Sequence, residues 1–99
     1  MSRIYKNKVD ENHAQVRDEL REVLHDGTIH DMSGSGNGFP DLCVGWRGLN
    51  FLIEVKRKQG GSRLTSRQVT FHQNWQGQVA VCRSASEALA IMLREVYKK

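Results

Sequence analysis

Between Asn12 and Leu24, apolar residues fall at Val16, Leu20, Val23 and Leu24, with Arg17, Asp18, Arg21 and Glu22 among them. That spacing predicts an amphipathic helix, stopped at Gly27. Past the glycine the rhythm changes to that of strands. Thr28 to Met32 predicts a short one, and Leu42 to Trp46 and Asn50 to Lys56 predict two more, joined by a hairpin turn over Arg47-Gly48-Leu49-Asn50. Thr65-Ser66-Arg67-Gln68 has the form of a capping box and opens a helix running to about Gln76, where Gly77 stops it. Val79 to Cys82 predicts a buried strand. Ser84-Ala85-Ser86-Glu87 repeats the capping form and opens a final helix with Ala88, Leu89, Met92 and Val96 inward. The order is helix, three strands, helix, strand, helix. It predicts one α/β domain over residues 1–99, a sandwich around a small mixed sheet.

The period of two along a strand places Glu54 and Lys56 on one face of their segment, with Phe51, Ile53 and Val55 directed into a core. Folding the hairpin about Gly48 brings Asp41, which follows Gly38-Phe39-Pro40, opposite Glu54 to Lys56. Two carboxyl groups a few ångströms apart repel each other unless a cation lies between them, and hard oxygen ligands select Mg2+ or Mn2+. Lys56 is a point charge with three donors, suited to orienting water or to charge developing on a phosphate. Each piece has an ordinary structural reading, as a Pro-Asp turn or as the solvated face of an edge strand. Their register across one hairpin favours a metal-dependent nuclease. A DNA-binding module without catalysis is the alternative, but it has no reason to retain a repelling carboxylate pair.

The net charge of +4 and a pI near 9.4 fit a polyanionic partner, although charge alone does not establish one. Arg57, Lys58, Arg63 and Arg67, grouped after the carboxylate-bearing strand, are candidates for phosphate contacts, or else form a solvated basic loop. The loop Ser33-Gly34-Ser35-Gly36-Asn37-Gly38 lets a phosphate backbone approach or serves as a plain linker, and it matches neither a P-loop nor a dinucleotide fingerprint. Cys43 and Cys82 lie far apart in apolar segments, which predicts buried, reduced thiols and neither a zinc site nor a disulfide. No apolar run reaches the roughly 18 to 20 residues of a membrane span, and the first residues lack a signal-peptide core. The expectation is an intracellular, cytoplasmic protein with no membrane partner.

Gly36-Asn37-Gly38-Phe39-Pro40-Asp41-Leu42, Glu54-Val55-Lys56, Leu64-Thr65 with Gln68, and His72 with Trp75 and Gly77 together resemble the motifs of the VRR-NUC (virus-type replication-repair nuclease) domains of the PD-(D/E)xK superfamily. The resemblance spans about Asp10 to Leu93 and implies a restriction-endonuclease-like αβββαβ core. It further implies Mg2+, with Mn2+ as substitute, held by Asp41, Glu54 and the carbonyl of Val55, and Lys56 as the catalytic amine. Gln68 matches a glutamine beside the family's site, and its place in the capping box gives it a second reading. His72, one helical turn on, is a candidate phosphate contact or a packed helix histidine. Where the family carries a first-helix acid this chain has Gln15, which also suits a cap begun by Asn12; Glu19, one turn later, is then the carboxylate to join the site. The resemblance implies a phage-encoded homodimer acting on branched DNA such as four-way junctions or flaps. Apolar Ala85, Ile91 and Met92 on the final helix offer material for the dimer interface.

Overall fold

The sheet is built outward from a two-residue turn. In the computed structural model, which describes residues 3–57 and 63–98 and the side chains from Asn12 onward, Arg47 and Gly48 have φ of +53° and +83°. Two successive positive φ values match the right-handed twist of the flanking strands, and glycine takes the second without strain. The turn is therefore tighter than the predicted Arg47 to Asn50. Strand β2 (Leu42–Trp46) ends beside it and β3 (Leu49–Val55) starts directly after it. Strand β1 (Thr28–Asp31) pairs with β2 and β2 with β3, both antiparallel; β4 (Gln78–Cys82) lies parallel to β3, giving a mixed sheet in the order β1-β2-β3-β4.

Register fixes which face is apolar. Leu42 lies opposite Ile53, Val44 opposite Phe51 and Trp46 opposite Leu49, so these side chains share one face. Against it pack Val16 and Leu20 of α1 (Arg3–Val23), Leu24 just beyond that helix, and Ala85, Ala88 and Met92 of α3 (Ala85–Val96). The helix α2 (Ser66–Asn74) buries none of its residues. The chain is thus an α/β domain with a small mixed four-stranded sheet and a C-terminal helix, as its pattern predicts.

Several local expectations need correction. Helix α1 begins at Arg3 rather than near Asn12, because the preceding segment holds neither glycine nor proline to stop it. Asn12 is consequently interior to the helix and caps nothing, and Val23 is 52 % exposed instead of completing the apolar stripe. At α3, Ser84 accepts from the Glu87 N–H, but Glu87 Oε1 accepts from the Arg83 N–H and not from that of Ser84, so this cap is one-sided. Ala85 and Met92 are spent on the chain's own core and leave no free apolar face at those positions. Both cysteines are free thiols, Cys82 buried and Cys43 half-buried. Burial pushes the Cys82 thiol up to about 12. No described helix is long and apolar enough to cross a membrane.

Candidate active site

Asp41 enters β2 through a stretch with little freedom. Gly36, Asn37 and Gly38 have φ of +74°, +57° and +82°, and Pro40 is buried directly before the aspartate. A Cβ on Gly38 would lie 2.6 Å from the Arg67 carbonyl oxygen, so the loop rests against the start of α2 where only glycine fits. Asp41 is 8 % exposed, and its Oδ2 accepts from the Val55 N–H at 2.9 Å, tying it to the strand that carries Glu54.

Glu54 lies on the β3 face opposite the main core and is nonetheless 3 % exposed. Its Oε2 accepts from Gln68 Nε2 at 3.0 Å and stands 3.7 Å from Lys56 Nζ, while its Oε1 is buried with no hydrogen-bond partner. Burial, and then the charge of nearby Asp41, raise the Glu54 pKa to about 8. At neutral pH and without a cation, this carboxyl group holds a proton. Gln68 joins the cluster to α2. Its Oε1 accepts from Lys56 Nζ and from the Thr65 N–H, each at 2.9 Å, and the Thr65 hydroxyl accepts from the Gln68 N–H at 3.2 Å. The capping role and the site role, alternatives in the sequence, are held by one side chain at once.

The first helix contributes residues other than those expected. Gln15 and Glu19 are exposed, bonded to each other at 3.1 Å, and do not line the cavity that holds Asp41 and Glu54. Asn12 and His13 line the cavity instead. Asn12 Nδ2 donates to the carbonyl of Lys56 at 2.6 Å and to that of Arg83 at 3.2 Å, which fastens the ends of β3 and β4 to α1. Buried His13 has Nε2 3.1 Å from Asp31 Oδ2 and Nδ1 3.9 Å from Asp41 Oδ1. Burial opposes ionisation of Asp31, but donors from Ser33 and Arg17 outweigh it and hold the carboxyl well below its usual range. A sequence signal for both residues existed: Asn12 and His13 stand four and three residues before Val16, on the buried stripe itself.

Asp41, Glu54, Val55, Lys56, Arg57 and Gln68 therefore face one cavity of about 460 Å³. His72 does not line it; the ring is half-buried with Nε2 unpartnered, and burial and the charge of Lys56 lower its pKa. Arg63 is exposed, Arg67 lines a neighbouring cavity, and Lys58 lies outside the described residues, as do Gln59 to Ser62 of the predicted basic loop. Among the described residues no three His, Cys, Asp or Glu side chains converge as metal ligands. A cation here would rest on two carboxyl groups and backbone or solvent oxygen. That donor set is hard, and the orphaned Glu54 Oε1 is an oxygen that such a cation would satisfy. Comparison of the chain with protein-family models, curated proteins and solved structures returned no match.

Proposed function

We propose that the protein is a metal-dependent endonuclease that hydrolyses DNA phosphodiesters, with Mg2+, or Mn2+ in its place, held by Asp41 and Glu54 and by the carbonyl of Val55. The observation that carries this reading is a buried glutamate beside a second carboxyl group, with one oxygen unpartnered and a lysine amine 3.7 Å from the other. The motif resemblance to VRR-NUC domains, and to their restriction-endonuclease-like core, points the same way. A bound divalent cation would supply Lewis-acid polarisation of the phosphodiester and activation of water. Gln68 Oε1 takes one Lys56 N–H, which leaves the other ammonium donors for water or a phosphate oxygen. The Glu54 proton must leave before the carboxylate can ligate, so cation uptake strengthens as pH rises through about 8.

Lys56→Ala is expected to lower turnover at least about a hundredfold while DNA affinity changes by less than about threefold, because the amine acts on transition-state charge more than on ground-state binding. Single-turnover cleavage, set beside equilibrium binding, checks this split; equal losses in both would make Lys56 a binding residue.

Arg57, Arg63 and Arg67 supply the phosphate contacts in this reading, with Arg57 at the cavity wall and the other two exposed. Replacing Arg63 and Arg67 by Ala should weaken binding to all sequences alike. On duplex DNA the log–log salt slope should become shallower by roughly 0.9 for each phosphate that the variant no longer neutralises. A salt titration with an unchanged slope would assign both arginines to structure.

Branched DNA is the proposed substrate. Paired incision of a four-way junction requires two sites facing opposite strands, which a two-fold homodimer supplies most simply. Light scattering during size exclusion tests the dimer, and a mass near 11.3 kDa at micromolar concentration refutes it.

A further inference from the structure

Helix α2 buries none of its residues, and an aromatic stack joins its Phe71 to Trp75, the residue that caps its C-terminus. The rings of Phe71 and Trp75 lie 5.2 Å apart and 16° from parallel, Phe39 meets Phe71 edge-on at 5.2 Å, and Trp75 is 42 % exposed. Trp75 thus leaves part of its ring open to a stacking partner. Around this stack are groups that donate and accept hydrogen bonds. Arg67, Thr70 and Asn74 follow one another along one side of α2, Asn37 reaches over from the glycine-rich loop, and together with the two rings they line a cavity of about 420 Å³. Its described lining carries one guanidinium and no carboxylate, so it complements an anion.

The cavity shares a wall with the candidate active site. Gly36 and Gly38 line the carboxylate cavity, whereas Asn37 between them lines this one; Gln68 bonds to Glu54, while its neighbour Arg67 faces the aromatic side. A strand whose phosphate lies at Asp41 and Glu54 would therefore present an adjacent nucleotide here.

We propose that this cavity receives one unpaired nucleobase of the strand being cut, stacked on Trp75, with Asn37, Thr70 and Asn74 at its edge and Arg67 on the adjoining phosphate. The proposal rests on the nuclease reading of the neighbouring site and adds what selects its substrate. Bases within a duplex stack on each other and expose only their edges, so an aromatic face is open only to a nucleotide outside the stack, as at a junction, flap or bulge. Every base has a π-face, so the preference is for unpairing and not for sequence. A second copy of the chain fits this surface less well, because closing it would bury Arg67 against a lining that holds no acid.

The test uses the intact chain in EDTA, where binding is measured without cleavage. Its probes are labelled duplexes carrying one unpaired thymidine or adenosine, and the same duplexes with an abasic residue at that position. Wild-type protein should bind the base-bearing duplex about tenfold more tightly, with quenching of tryptophan fluorescence. Buried Trp46, whose Nε1 donates to Asp26, stays unquenched. Trp75→Ala should bring the ratio close to one. Trp75→Phe keeps a ring and should retain most of the ratio while losing the quench, so the inference stays testable if the alanine variant does not fold. A wild-type ratio near one overturns the inference, as does a ratio unaffected by Trp75→Ala. If Trp75→Ala instead converts a dimer to a monomer at constant ratio, the surface joins two chains and the inference fails. Base selectivity in a chain that cuts nothing with Mg2+ would leave the base site standing and remove the nuclease reading. Cleavage without base selectivity would do the reverse.

Discussion

If the nuclease reading holds, Asp41→Asn is expected to abolish Mg2+-dependent cleavage, with a loss of about a thousandfold or more, and to leave the circular dichroism spectrum unchanged. Asparagine keeps an oxygen to accept from the Val55 N–H, so the strand contact survives while half of the anionic pair is gone. Alanine at the same position should also abolish cleavage. It orphans that buried N–H, which costs about 1–3 kcal/mol, and removes one of the charges that raise the Glu54 pKa. The asparagine variant is accordingly the cleaner test of chemistry. Glu54→Ala should be as inactive and still fold. A variant that cuts at near wild-type rate, purified alongside a control for contaminating nuclease, would remove these residues from the site.

The second large effect concerns stability without metal. Glu54 titrates at about 8 in the fold, against 4.5 unfolded, so between these values the folded state holds a proton that the unfolded state has lost. Its contribution is therefore complete below pH 4.5 and disappears as pH rises through 8. In a domain of this size that loss should lower Tm measurably as pH rises. His72, with a lowered pKa, acts in the opposite sense near its own range, and the buried Cys82 thiol matters only at more alkaline pH. Thermal melts in EDTA from about pH 5 to about pH 8.5 should show the decline in wild type, and Glu54→Gln should flatten it. Mg2+ should restore stability to wild type most strongly at the alkaline end, where the carboxylate is free to ligate. A wild-type Tm independent of pH would mean that Glu54 is not destabilised in the fold.

The carboxylate hairpin was legible because the alternation of Phe51, Ile53 and Val55 with Glu54 and Lys56 fixes register, and register places Asp41 next to Glu54. The Thr65 box was legible because its two hydrogen bonds are local in sequence. Interactions made at a distance were not. Asn12 has the look of a helix start, since its partners Lys56 and Arg83 lie 44 and 71 residues away. For His13 the buried stripe marks the position but not the contacts, because its partners belong to β1 and to the turn before β2. Gln15 and Glu19 rest on analogy of position, and the helical phase turns both toward solvent. Glu87 reaches one residue beyond its expected cap, a choice that the spacing of Ser84 and Glu87 does not encode.

Gln68 has one further consequence, which belongs to motion. The side chain that closes the first turn of α2 is also the bridge between Lys56 and Glu54, so fraying of that turn and release of the lysine are the same event. Because α2 has no buried residue, its amides should exchange with solvent far faster than those of β2 and β3. In the nuclease reading, warming should then erode the population of competent molecules well before the sheet melts, so that the temperature at which activity fades would be set by a helix of nine residues, not by the core beneath it.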